Sequence, residues 1–136
     1  MHLAGIASKY FDYADLLESH HEMKVDAPSG TALSIAEAMI EGRGSRFKQN
    51  VADLQTLSGT RGGDFEGINV HSARMPGRVA RHEVVFGALG QTFTMIHDSA
   101  NRDSFMPGVM LGVKHVIDDT ELVIGLANVL GLGKSK

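Results

Sequence analysis

The chain has 136 residues, with 13 Lys and Arg against 16 Asp and Glu, seven His and no Cys. That length suits one compact domain, and 43% hydrophobic with 21% charged residues excludes collagen-like and disordered classes. The missing Cys excludes disulfides, thiolate catalysis and Cys-ligated zinc, while a net charge of −3 argues against nucleic acid, whose affinity rests on clustered Lys and Arg.

The start, Met1-His2-Leu3-Ala4-Gly5, carries no charged n-region before an apolar run, so no secretory signal is expected and a cytoplasmic address is the default. No later run approaches the roughly 20 apolar residues of a spanning helix, so no membrane partner is expected either. Leu3, Ile6, Ala7 and Tyr10 recur at helical spacing, which predicts a helix over His2 to Phe11, beginning abruptly as if cut from a longer element. Tyr13 to His20 reads as a strand. The turn Asp26-Ala27-Pro28-Ser29-Gly30 then announces a helix, with Ser29 or Thr31 as cap, Leu33, Ala36, Met39 and Ile40 as its apolar stripe, and Gly42 as its stop.

Residues 42–50 form a basic connector, 51–57 a short candidate strand, and Arg61-Gly62-Gly63-Asp64 a flexible turn. Three strand-like runs follow, Ile68 to Ala73, Val79 to Phe86 and Gln91 to His97, with turns that suggest an antiparallel meander. Ser104 to Ile117 returns to helical spacing with Pro107 in its first turn and Met106 and Met110 on the expected core face; Glu121 to Leu132 fits helix or strand. The order predicts an α+β fold with a mixed, mostly antiparallel sheet and helices on one face. The other sheet face is left for another subunit.

Three motif look-alikes fail. His21-Glu22-Met23-Lys24-Val25 begins like a zinc-hydrolase motif, but Val25 stands where the second ligand belongs. A His-ligated metal hydrolase therefore has no chelating pair, and no metal is expected. Gly133-Lys134-Ser135 follows Asn128 where a phosphate loop needs its first glycine, and Gly42-Arg43-Gly44-Ser45-Arg46-Phe47 lacks the third glycine of a dinucleotide fingerprint.

The stretch Glu18-Ser19-His20-His21-Glu22-Met23-Lys24-Val25-Asp26-Ala27-Pro28-Ser29-Gly30-Thr31-Ala32 concentrates the chemistry. A helix start offers unpaired amides and a positive dipole end, so Gly30 and Thr31, with the hydroxyls of Ser29 and Thr31, suit a carboxylate or phosphate. Lys24 adds a full charge, and His20 and His21 are imidazoles able to exchange protons near neutral pH. The plainer alternative is a capped helix behind two solvated histidines. His82 and His97, in strand-like segments, read as structural.

This stretch resembles the signature E-x-H-H-x-x-K-x-D-A-P-S-G-T-A of the dihydrodipicolinate reductases. Ser72-Ala73-Arg74-Met75-Pro76-Gly77, His82 to Gly87, and His97-Asp98-Ser99-Ala100-Asn101-Arg102 with Phe105-Met106-Pro107-Gly108-Val109 are similar to that family's C-terminal half. The resemblance implies reduction of 4-hydroxy-tetrahydrodipicolinate by NADH or NADPH in lysine and diaminopimelate biosynthesis. It implies that His20 is the general acid/base, that Lys24 donates a proton, and that His21, Ser29, Gly30 and Thr31 bind the carboxylates of the cyclic substrate.

The family's N-terminal dinucleotide-binding domain has no counterpart in these residues, and the segment 104–136 corresponds to the part that packs on it. The expectation is a single substrate-binding and oligomerisation domain over 1–136, inactive alone and binding no cofactor by itself, and assembled as a homotetramer through its sheet. Arg102, where the family has an arginine near the domain junction, and Phe105 are the only candidates for cofactor contact. The alternative is a free-standing dicarboxylate-binding or oligomerisation module without enzyme activity.

Overall fold

The computed structural model describes residues 1–50, 54–118 and 121–133. In chain order the elements are α1 (His2–Ala7), continued by a 3-10 turn over Ser8–Tyr10, β1 (Tyr13–His20), α2 (Gly30–Arg43), β2 (Gly63–Phe65), β3 (Ile68–Arg74), β4 (Ala80–Ala88) and β5 (Gln91–Ser99). A 3-10 turn over Arg102–Phe105 then leads into α3 (Met106–Asp118), and α4 (Leu126–Val129) follows. The five strands lie in the order β2-β3-β1-β4-β5, with β1 and β3 parallel and the other neighbours antiparallel. This is the α+β class with a mixed, mostly antiparallel sheet that the sequence predicts.

The expected meander is not what forms. β1 sits between β3 and β4, so Met75-Pro76-Gly77 is a crossing link and not a hairpin turn. It passes the C-terminal end of β1, where the Met75 amide donates to the His20 carbonyl at 3.1 Å. Only β4 and β5 form the expected hairpin. β2 occupies Gly63 and Asp64, read from sequence as turn, and pairs with β3. Of the candidate strand at 51–57, residues 51–53 lie outside the described residues and Leu54 to Leu57 are irregular.

Ser29 caps α2, its Oγ accepting from the Ala32 amide at 3.2 Å as an N-cap should. The helix runs past Gly42 and stops at Gly44, which is left-handed at φ 75° and donates to the Ile40 carbonyl at 2.8 Å. Gly42 instead serves the packing of the two helices. A Cβ there would stand 2.0 Å from the Gly5 carbonyl oxygen, so the glycine permits α1 and α2 to cross in backbone contact. Arg43 then fastens this crossing, donating to the carbonyls of Ser8 and Phe11.

Cross-strand partners share a face of the sheet, and the inner face can be read in rows. Two rows are apolar: Ile68, Ala14, Phe86 and Phe93, then Val70, Leu16, Val84 and Met95. Ala32, Ile35, Ala36 and Met39 of α2, Ala4 and Ala7 of α1, and Phe47 close over them. Fully buried Phe86, Leu16 and Met39 each contribute about 1.5–3 kcal/mol of hydrophobic stabilisation. The opposite face carries exposed Leu17 and Ile96, uncovered by any described residue. On α3 no residue is buried; Met106 and Met110 are exposed, so the core role expected for them is not met among the described residues.

Candidate functional site

Beyond the apolar rows, the same inner face turns polar. Along β1 the inward positions change from Ala14 and Leu16 to Glu18 and His20, because alternate strand residues share a side. Glu18 is flanked in register by Ser72 of β3 and His82 of β4, with His97 of β5 next, and His20 by Arg74, Ala80 and Ser99. Helix α2 does not cover these two rows fully. Of these rows His20, Ala80, Ser99, His82 and His97 form one wall of an open cleft of about 340 Å³, completed by His21 and Lys24 of the turn, Thr31 of α2, and Arg102 and Phe105.

Behind His20, the Glu18 carboxylate is fully buried and surrounded by donors. Its Oε2 lies 2.6 Å from His20 Nδ1 and accepts from Arg74 at 2.9 Å. Oε1 accepts from Arg74 at 2.8 Å and from the Ser29 amide at 3.2 Å. Burial opposes ionisation of Glu18, but the hydrogen bonds from Arg74, Ser72 and His20 outweigh it and hold its pKa down at about 2. An ionised carboxylate only accepts, so His20 Nδ1 is the donor in this pair and the tautomer follows from the geometry. Glu18 in turn holds the Arg74 guanidinium protonated, raising its pKa further.

His82 is buried beside this pair, its ring edge-on to that of His20 with centroids 5.3 Å apart, and its Nε2 is 3.3 Å from Ser29 Oγ. Burial above all, with the neighbouring His20, lowers the His82 pKa. The structural role expected for His82 thus coincides with a place in the cleft wall. His97 is exposed in that same wall.

The sequence-selected residues divide into two groups. His20, His21, Lys24 and Thr31 converge on the cleft together with Arg102 and Phe105. Ser29 is buried behind the wall, with its hydroxyl engaged by Ala32 and His82. Gly30 is exposed with open space where a Cβ would stand. The helix start already holds an internal anion: the Asp26 carboxylate lies 2.7 Å from Lys24 Nζ, and the Lys24 contact, with the Gly30 amide also bonded, lowers the Asp26 pKa. The Lys24 ammonium has three donors, so an incoming carboxylate shares it with Asp26 or displaces that residue.

Sequence reasoning does not single out Glu18 or Arg74. The signal for Glu18 is present, since a residue two before His20 on a strand shares its face. Arg74 reaches the site through parallel pairing of β1 with β3, 54 residues apart at the His20–Arg74 register, which no local pattern encodes. Among the described residues no cluster of three or more His, Asp or Glu is arranged to hold a metal ion, and no helix is long and apolar enough to cross a membrane.

Residues 1–130 match the family described as "Dihydrodipicolinate reductase, C-terminus". A 4-hydroxy-tetrahydrodipicolinate reductase of Shouchella clausii is 45% identical over 130 residues, covering 96% of this chain and 49% of the relative. Its counterpart from Streptococcus mutans is 50% identical over 131 residues, covering 96% of this chain and 51% of the relative. Among solved structures, a dipicolinate-bound dihydrodipicolinate reductase from Paenisporosarcina sp. TG-14 superposes with a TM-score of 0.84 at 43% identity, covering 93% of this chain and 48% of that one. The chain spans about half the length of these relatives.

Proposed function

The chain belongs to the dihydrodipicolinate reductase family, as its C-terminal domain, and on that premise we propose that it is the substrate-holding part of a 4-hydroxy-tetrahydrodipicolinate reductase. The parent reaction adds hydride from NADH or NADPH to the cyclic dicarboxylate and expels its hydroxyl as water, within lysine and diaminopimelate biosynthesis. The observation that carries this reading is the convergence of His20, His21, Lys24 and Thr31 on one cleft, which places two imidazoles, an ammonium and a hydroxyl around a space the size of a small ring. The dipicolinate bound to the solved relative is a ligand of the same chemical class.

In this reading His21, Lys24 and Thr31 receive the substrate carboxylates, with the Ser29-Gly30 helix start supplying the positive dipole end. Ser29 acts by setting the helix, while Thr31 presents its hydroxyl. His20 exchanges the proton that accompanies loss of the hydroxyl, and Lys24 delivers a proton and offsets developing negative charge.

A nicotinamide dinucleotide does not fit the described residues by themselves. The strand-to-helix link from β1 to α2 has no glycine-rich turn, and the amide of Ala32 in its first helical turn is capped by Ser29. The donor is held by another part of the parent enzyme, with Arg102 and Phe105 at the cleft rim facing it, and the exposed apolar face of α3 packs on that part. The uncovered sheet face with Leu17 and Ile96 supports assembly of this domain, 1–136, into a homotetramer.

Calorimetric titration of this chain with pyridine-2,6-dicarboxylate tests the reading, with the monocarboxylate pyridine-2-carboxylate as control. Saturable binding of the dicarboxylate, weaker for the control, is expected. Equal or absent binding of both at millimolar concentration overturns it.

A further inference from the structure

Glu18 is the most deeply buried charged group in the site, with its side chain at 0% exposure, and neither substrate binding nor proton exchange as proposed uses it. It has no path to the substrate, because Arg74, Ser29 and His20 together occupy both of its oxygens. What it does touch is the ring that lines the cleft. We propose that Glu18 is a positioning residue for His20: by accepting from Nδ1 it fixes the imidazole in the Nδ1–H tautomer and leaves Nε2 as the proton-exchanging atom.

Three observations carry this. The 2.6 Å contact is short and charge-assisted, so the ring has one strongly preferred orientation. The carboxylate cannot swing away, since the bidentate guanidinium of Arg74 and the Ser29 amide grip it from the β3 and α2 sides. The other titratable or charged groups around the ring are His82 from β4, His97 from β5, His21 and Lys24 from the turn and Arg102 beyond β5. None of these forms a hydrogen bond with the His20 ring, so the tautomer is set by Glu18. Arg74 acts one step further back, by holding Glu18 ionised and in place.

The positioning role rests on the proposed acid/base role of His20 and deepens it, and its test is independent of that role. Two-bond proton–nitrogen correlation spectra of the 15N-labelled chain, without ligand, report the tautomer of each histidine directly. For the neutral His20 ring the Nδ1–H pattern is expected in the wild type, and loss of that pattern in Glu18→Leu, whose side chain has no acceptor. A role for Glu18 in stability alone would lower the melting temperature of the variant while leaving the His20 tautomer unchanged, and that result overturns the proposal. Should Glu18→Leu fail to fold, the wild-type spectrum decides: an Nε2–H pattern for His20 overturns the proposal without any variant. Dicarboxylate titration of the same sample is read separately from chemical shifts of Thr31 and Lys24, so a failed substrate reading and a failed positioning role are distinguishable.

Discussion

Arg74 and Glu18 meet as a two-pronged pair, nitrogen to oxygen at 2.9 and 2.8 Å, across the parallel junction of β3 and β1. The guanidinium side chain is 18% exposed and the carboxylate 0%. Removing the guanidinium leaves a buried carboxylate without its counterion, and breaking such pairs costs roughly 3–5 kcal/mol. Arg74→Ala is expected to lower stability by about 3 kcal/mol in chemical denaturation, with Arg74→Lys losing less because it keeps the charge and loses only the fork. A change below about 1 kcal/mol for Arg74→Ala would show that the pair does not hold the site together.

Acid should destabilise the fold in two stages. His82 has its pKa lowered from 6.5 in the fold, so the unfolded chain binds the proton more readily, and stability falls as pH drops below 6.5 toward the lowered value. Glu18, lowered from 4.5 to about 2, contributes stability that is complete above pH 4.5 and is lost as pH falls to about 2. Denaturation midpoints measured against pH should show both declines in the wild type and only the second in His82→Gln. Parallel curves for the two proteins between pH 7 and 5 would refute the His82 assignment.

Substrate affinity should depend on groups facing the cleft. Lys24→Met and Thr31→Val are each expected to weaken pyridine-2,6-dicarboxylate binding. Hydrogen bonds to charged groups contribute roughly 1.5–3 kcal/mol, or about ten- to a hundredfold in Kd. Titration calorimetry on the two variants provides the comparison, and unchanged affinity in both would place the dicarboxylate elsewhere.

Two glycines of α2 should respond differently to alanine. Gly42→Ala gains about 1 kcal/mol of helix propensity but drives a Cβ against the Gly5 backbone, and overpacking of this kind costs typically about 1–3 kcal/mol or more. The backbone of α1 cannot rotate away as a side chain would, so a net loss of stability is expected. Gly30→Ala meets nothing within 4 Å and should leave the melting temperature within a few degrees of wild type. A stabilised Gly42→Ala would mean that the helices do not cross in backbone contact.

How much of this is legible in the sequence varies from residue to residue. The alternation along Tyr13–His20 and the Ser29 cap are readable because both rest on local periodicity and local hydrogen bonding. So is the cluster of His20, His21, Lys24 and Thr31, which lies within one turn and its flanks. Gly42 reads as a stop because glycine after an apolar stripe usually ends a helix, whereas in the fold it answers to α1, far away in sequence. The expected meander fails for a similar reason: adjacent strand-like runs usually pair, but β1 takes the place between β3 and β4. Arg74 belongs to the same class of long-range facts.

The division of the inner sheet face into apolar and polar rows ties two properties to a single alignment. Shifting β4 by one position against β1 would turn Val84 and Phe86 outward and swing His82 away from Glu18 in the same movement. Selection for a sound core therefore guards the cleft as well, and a slipped but still folded form of this sheet, with a ruined site, has no stable basin in which to persist.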